Sequence, residues 1–193
     1  RYISVTGVQT CALPIYARVV EPGTTNPVAW DGETSGELQC RGNWIAATYY
    51  NDERAHESFT KDGWLRTGDV ATVDAHGRIR LVDRTKDLIK SGGEWISSVE
   101  IENELMAHPK IKEAAVIGVT HPKWSERPLA CVVLNPGETM SKDEVLDHVR
   151  GSLAKWQVPD DVVFIDEVPK TSVGKFSKKT LRERFADYVL PES

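Results

Sequence analysis

Asp83-Arg84-Thr85-Lys86-Asp87-Leu88-Ile89-Lys90-Ser91-Gly92-Gly93-Glu94-Trp95-Ile96-Ser97-Ser98-Val99-Glu100-Ile101-Glu102 carries a strand end, a charged joint and a helix start in one run. Just before it, Ile79 and Leu81 alternate with Arg78 and Arg80, the period of two of a strand. Basic and acidic residues then follow one another up to a Gly-Gly break and an aromatic. At the far end, Ser97 and Glu100 have capping-box spacing before Ile101 and Leu105. A strand, a joint and a capped helix this close together mark a boundary between two domains.

Upstream of that boundary the chain reads as β-rich with close turns. Ala17 to Val20 and Glu37 to Arg41 are strand-like, the second bracketed by Gly36 and Gly42. An aromatic-rich loop, Gly42 to Tyr50, leads to Asn51 or Asp52, either of which can cap a short helix through Phe59. Trp64 to Val73 is a strand interrupted at Gly68-Asp69, and Ala75-His76-Gly77 turns it into a hairpin with Arg78 to Asp83. The first residues have no clear period. Val5 to Ile15 reads as the in-frame translation of a sequencing adapter, so residues 1–15 are expected to be non-biological and to carry no fold signal.

Downstream the order changes. A helix is expected over about Ser97 to Ala107, stopped near His108-Pro109. Strands follow at Ile111 to Thr120 and Leu129 to Leu134, with His121 to Pro128 as a loop between them. Ser141 and Glu144 form a second capping box, before a helix with Val145, Leu146, Val149 and Leu153 on one face. Trp156 to Pro159 is an extended connector, Val162 to Ile165 a short strand, and Pro169 to Phe176 a loop. A last helix runs from Lys178 to about Tyr188. The expected fold class is α+β: residues 16–83 as the β-rich end of a larger domain, and residues 84–193 as a small α+β domain with helices packed on one sheet.

At 193 residues, 40% hydrophobic and 27% charged, the chain has the composition of a globular protein with a real core. Its net charge of −5 does not favour nucleic acid or an anionic membrane surface. The local exception is a basic run of Lys170, Lys175, Lys178, Lys179, Arg182 and Arg184, which reads as a solvated helix face. Cys11, Cys40 and Cys131 lie far apart without metal or redox spacing, which suits a reducing, cytoplasmic compartment. No apolar run is long enough to span a bilayer, and no signal peptide is expected. The five histidines lack metal-ligand spacing and read as structural or surface.

Several residues have two chemical readings. Gly174-Lys175 is not a phosphate loop, because Pro169 stands where that motif needs glycine and Phe176 replaces its Ser or Thr. What remains is a lysine on a Gly-containing loop: a compact cation that can enter a site, or a surface residue. Asp69, at a bend, can accept from both hydroxyls of a ribose or stabilise its own turn. Arg84 can reach the same sugar or pair with Asp83 or Asp87. Gly92-Gly93 lets a backbone approach a ligand or makes a turn. Trp95, Trp124 and Trp156, lacking a basic groove, read as core or interface rather than base-stacking platforms.

Taken in order, seven strings resemble the carboxy-terminal motif series of the adenylate-forming enzymes, the superfamily of acyl-CoA synthetases, peptide-synthetase adenylation domains and firefly luciferase. They are Gly36-Glu37-Leu38, Tyr49-Tyr50-Asn51, Leu65-Arg66-Thr67-Gly68-Asp69, Asp83-Arg84-Thr85-Lys86-Asp87, Ser91-Gly92-Gly93-Glu94, Lys155-Trp156-Gln157-Val158-Pro159 and Pro169-Lys170-Thr171-Ser172-Val173-Gly174-Lys175. The stretches around Trp95 and Trp156 look most like bacterial medium- and long-chain fatty acyl-CoA synthetases.

The resemblance implies a two-step ligase. A carboxylate attacks the α-phosphorus of Mg-ATP to give acyl-adenylate and pyrophosphate, and the thiol of coenzyme A then displaces AMP. It implies that Asp69 binds the ribose hydroxyls with support from Arg84. Lys86 matches the hinge, Lys175 the catalytic lysine of adenylation, and Lys90 a catalytic residue presented for the second step. Gly92, Gly93 and Trp95 would line the coenzyme A side. Phe176 and Ser177 depart from the usual Leu or Val and Asp after the last motif. The partners implied are a fatty acid or other carboxylic acid, ATP and coenzyme A, with no nucleic acid. Peripheral membrane association for a lipid substrate and a homodimer are both compatible with the resemblance. The phosphate, magnesium and acyl sites of the family lie upstream of these motifs, so the chain is expected to be a carboxy-terminal fragment that is inactive alone, its small domain acting as a mobile lid. Rival readings are another acid–CoA ligase branch, an acyl-AMP ligase, or a freestanding binding or regulatory module.

Overall fold

The computed structural model describes residues 3–5 and 15–191. Of the residues expected to be non-biological, 1, 2 and 6–14 lie outside them, while 3–5 and 15 are described as strand. The chain divides into two compact units, residues 1–86 and 87–193, with the break between Lys86 and Asp87.

The first unit is an antiparallel sheet of β1 (Ile3–Val5), β2 (Ile15–Val20), β3 (Gly36–Gly42), β4 (Leu65–Val73) and β5 (Ile79–Arg84), in sequence order. Its two faces differ because strand side chains alternate. One face buries Val19, Val28, Ala71 and Val73, with Trp30, Leu38 and Ile79 packed against them. The opposite face carries a polar chain. Arg18 donates to Gln39 at 2.8 Å and pairs with Asp62 at 3.1 Å, and its guanidinium lies 4.4 Å from the Trp64 ring centroid. Gln39 and Arg66 both donate to Glu37. This network satisfies the buried Arg18 and Gln39, which would otherwise be costly to desolvate.

Two register shifts distinguish the observed strands from the simple alternation. Opposite β3, the pairs Glu37–Val70 and Gln39–Arg66 leave Thr67, Gly68 and Asp69 bulging out of β4. Gly68 takes φ +74° there, a conformation that favours glycine. Opposite β4, Val82 is an extra residue on β5, and Leu81 is 63% exposed rather than facing the core as its period suggests. The short helix expected before Phe59 is one 3-10 turn, Ala55–Ser58, preceded by Asn51 at φ +52°.

The second unit is α+β. It begins with the hairpin β6 (Ile89–Ser91) and β7 (Glu94–Ile96) and helix α1 (Ser98–Met106). The long hairpin β8 (Ile111–His121) and β9 (Ser125–Leu134) follows, then α2 (Lys142–Arg150), β10 (Asp161–Phe164) and α3 (Lys178–Arg184). β9 is central: it pairs antiparallel with β8, parallel with β10 and, at Ser91–Ser125, with β6. Residues 125–128, expected as loop, are strand. The last helix ends at Arg184, and Phe185 stacks edge-on to Tyr188 beyond it.

Both faces of this sheet are covered, which explains the continuous apolar runs of β8 and β9. Ala114, Val116, Ala130 and Val132 face Ile101 and Leu105 of α1 and Val145 and Val149 of α2. Ala115, Ile117, Leu129 and Cys131 face Leu181 of α3. The expected helices are therefore divided between two faces. All three start at a serine: the Ser97 and Ser177 hydroxyls accept from the Glu100 and Thr180 amides, and Ser141 and Glu144 form the full capping box. No helix among the described residues is long and apolar enough to cross a membrane.

Candidate functional site

The residues singled out in the sequence fall into three places. In the first unit, the β4 bulge and the end of β5 bring Asp69 opposite Arg84. Arg84 Nε lies 3.1 Å from Asp69 Oδ1, with side chains 55% and 30% exposed. Other groups take over the alternative duties. Thr67 Oγ1 accepts from the Asp69 amide, so threonine rather than the Asp69 carboxylate closes the bend. Asp83 accepts from the Arg84 backbone, and Asp87 pairs with Arg182. The Asp69 and Arg84 side chains are thus left facing each other at the surface. An ion pair this exposed contributes under about 1 kcal/mol, so a ligand's hydroxyls can displace it at small cost. Nearby, burial pushes the Cys40 thiol pKa up and the Asp69 charge adds to it, so this thiol stays protonated. Lys86 is exposed in the turn after β5, at the last position of its unit.

In the second unit, Lys90, Gly92, Gly93 and Trp95 share the β6–β7 hairpin. Lys90 pairs across it with Trp95, and Gly92 and Gly93 form the connection at φ +59° and +95°. Positive φ at both central residues marks a type I′ turn, which suits the twist of a hairpin. The Lys90 side chain is exposed and has no ion-pair partner among the described residues.

Lys175 stands in a third place. The bridge between Lys170 and Phe176 closes a tight loop. Inside it the Thr171 amide donates to the Lys175 carbonyl at 2.7 Å, and the Gly174 amide to the Thr171 carbonyl at 2.9 Å. Gly174, at φ +79°, makes the reversal. Lys170 ties the loop to β8 through Glu113 at 2.7 Å, and that hydrogen bond holds the Glu113 carboxyl below its ordinary pKa.

The basic run read as a solvated face is mostly exposed, with Lys178 and Arg182 as its partly buried members, yet most of its cations have a neighbour. Lys178 bridges Ser98 and Glu102, Arg182 pairs with Asp87, Lys179 with Glu183, and Arg184 lies over Phe185. Lys175 is the member of the run whose ammonium has no such partner among the described residues.

The three tryptophans are not core. Trp124 and Trp156 are 41% and 45% exposed, and Trp95 is half-buried. Arg127, inside the stretch expected as loop, is buried and was not marked by any motif. It links the fifth and sixth strings of the motif series, through Ser91 on one side and Trp156 and Val158 on the other. Its partners lie 29 to 36 residues away in sequence, and no local pattern shows them. Among the described residues no cluster of three or more His, Cys, Asp or Glu is placed to hold a metal ion.

Residues 100–175, from the first turn of α1 to the partnerless lysine, match the AMP-binding enzyme C-terminal domain. The chain is similar to the carboxy-terminal portion of the adenylate-forming enzymes. It is 50% identical over 178 residues to a long-chain-fatty-acid–CoA ligase of Thermus thermophilus, covering 91% of this chain and 33% of that ligase. It is 52% identical over 171 residues to a 3-methylmercaptopropionyl-CoA ligase of Ruegeria pomeroyi, covering 89% of this chain and 31% of the relative. Among solved structures, ATP-bound MatB from Rhodopseudomonas palustris superposes with a TM-score of 0.82 at 34% identity, over 90% of this chain and 34% of that one. The chain therefore spans about a third of the length of the curated relatives it matches. The similarity corresponds to their carboxy-terminal portion, as the motif series implied.

Proposed function

We propose that this chain is the carboxy-terminal portion of an ATP-dependent acid–CoA ligase acting on fatty acids. The acid carboxylate attacks the α-phosphorus of Mg-ATP, the bond to pyrophosphate breaks, and acyl-adenylate forms. The coenzyme A sulfur then attacks the acyl carbon, and AMP leaves with the bonding electrons. In this reading Asp69 accepts from the ribose hydroxyls and Arg84 reinforces it. Lys175 places its ammonium against oxygens that gain charge in the adenylation transition state, a preorganised electrostatic role. The Lys90 hairpin serves the thiol step, and the chain turns about Lys86 between the two steps. A cytoplasmic setting belongs to the same proposal, and Cys40 and Cys131 are both free thiols.

The observation that carries this reading is the state of Lys175. A lysine on a short loop, free of the ion pairs that engage its basic neighbours, is available to a polyanionic ligand. The ligase names of the relatives support the acid and the thiol. One observation favours a second acid. Identity to the 3-methylmercaptopropionyl-CoA ligase, 52%, is comparable to the 50% to the fatty acid ligase, so a short thioether acid is the alternative substrate.

The test is thioester formation by the complete synthetase carrying this chain, with ATP, coenzyme A and either a fatty acid or 3-methylmercaptopropionate. The expected products are acyl-CoA, AMP and pyrophosphate, while residues 1–193 alone show no ATP–pyrophosphate exchange. Release of ADP, or no thioester with any carboxylic acid, contradicts the reading.

A further inference from the structure

β6 bears Lys90 and the Gly92-Gly93 turn, yet it meets the central sheet through one backbone register pair, Ser91 with Ser125. So short a ladder does not by itself fix a strand. Three neighbouring residues at the start of β9 supply the rest. The Glu126 carboxylate accepts from the Lys90 amide at 2.9 Å. Gly118 opposite has no Cβ, which would come within 3.1 Å of that carboxylate. The Trp124 carbonyl accepts from the Gly92 amide at 2.9 Å, and its indole lies against the same residue: a Cβ on Gly92 would meet the ring at 2.7 Å. Ser125 itself takes φ +69°, an uncommon conformation for a residue with a side chain. Arg127 Nη1 donates to Ser91 Oγ at 3.0 Å.

Arg127 holds the other end of this arrangement as well. Its Nη1 also donates to the Trp156 carbonyl at 2.7 Å, and Nη2 to the Val158 carbonyl at 3.1 Å. Nε and Nη2 reach Asp160 Oδ1 at 2.8 and 2.6 Å. These five contacts match the five N–H groups of a guanidinium. One buried side chain therefore joins β6, β9 and the connector 156–160. A lysine, with a single nitrogen on a flexible stem, cannot reproduce that fork.

We propose that Arg127 is a positioning residue, which with Trp124 and Glu126 holds Lys90 to Gly92 in the geometry that the thioester-forming step uses. It touches no substrate and acts through the hairpin. The functional half of this inference rests on the ligase reading above; the structural half does not.

The test has two readouts. In the 193-residue chain, hydrogen exchange of residues 89–96 is compared in the wild type, Arg127→Lys and Ser91→Ala. Loss of a hydrogen bond at this position is expected to raise exchange about tenfold there, with α2 unchanged. Ser91→Ala removes a single hydroxyl, so it decides the matter even where Arg127→Lys fails to fold. Unchanged protection of residues 89–96 in Ser91→Ala overturns the proposal. In the complete synthetase, Ser91→Ala and Arg127→Lys are expected to slow thioester formation from supplied acyl-adenylate about tenfold while ATP–pyrophosphate exchange stays near wild type. Equal loss in both half-reactions overturns the positioning role. If the wild-type synthetase shows neither half-reaction, the ligase reading fails, and the exchange experiment still decides whether Arg127 holds the hairpin.

Discussion

The hairpin that carries Lys90 and the loop that carries Lys175 are similar in outline. Each presents an exposed lysine within two residues of a glycine at positive φ. They differ in what lies behind the backbone. The first is braced by Trp124, Glu126 and Arg127, and its Gly92 is packed against an indole. The second is held by its own backbone hydrogen bonds and by the partly exposed Lys170–Glu113 pair, with open space around Gly174. A braced hairpin suits a group that must be found in one place. A loop closed mainly on itself suits a charge that enters and leaves a site. The difference between the lysines is thus one of support, and it can be broken experimentally.

The largest expected effect is on chemistry. Lys175→Ala in the complete synthetase should lower ATP–pyrophosphate exchange by about 10³-fold, the scale of losing a preorganised charge partner in a transition state. A loss under tenfold would remove Lys175 from the adenylation step.

The glycines test support directly. Gly92→Ala meets both a positive φ and the Trp124 ring, and should destabilise the second unit by about 2–3 kcal/mol in denaturant unfolding. Gly174→Ala meets the φ penalty with nothing within 4 Å, and should cost about 1 kcal/mol. Equal costs would erase the contrast between the two turns.

The smallest effect concerns the anchor of the Lys175 loop. The Lys170 hydrogen bond holds the Glu113 carboxyl below its ordinary pKa in the folded chain. A depressed folded pKa means that its stabilisation is fully present above the ordinary glutamate value. It is lost as pH falls from there through the folded value. Exchange of residues 170–176 should therefore rise across that acidic window, and Lys170→Met should remove the pH dependence while costing under about 1 kcal/mol. A pH response unchanged in Lys170→Met would show that another group controls the loop.

What the sequence showed and what it hid follow from the range of the interactions. The Ser141–Glu144 box depends on residues three apart and was legible; the Gly92-Gly93 turn was one of two readings of that pair, and the hairpin around it was not read. The α+β class was legible from the change of period after Asp83. The division of helices between two faces was not, because the apolar run of β8 has no polar side to mark direction. Leu81 follows a clean alternation and keeps register with Ala71, but it lies on the last strand of the sheet and is 63% exposed. Among the site residues, the motif series named Lys90 and Lys175 yet could not tell braced from unbraced. That depends on Arg127, whose partners Ser91 and Asp160 lie 36 and 33 residues away. Four cations of the basic run, Lys170, Lys175, Lys179 and Arg184, lie exposed as read, while Lys178 and Arg182 find Glu102 and Asp87 on distant elements, which no local pattern marks.

The most direct test of this account follows a single turnover of preformed acyl-adenylate with coenzyme A in the complete synthetase, comparing Lys175→Ala with Lys90→Ala. The account predicts near wild-type thioester formation for Lys175→Ala and a large loss for Lys90→Ala, the reverse of their effects on ATP–pyrophosphate exchange. Equal loss in both variants would contradict the assignment of the two lysines to separate steps.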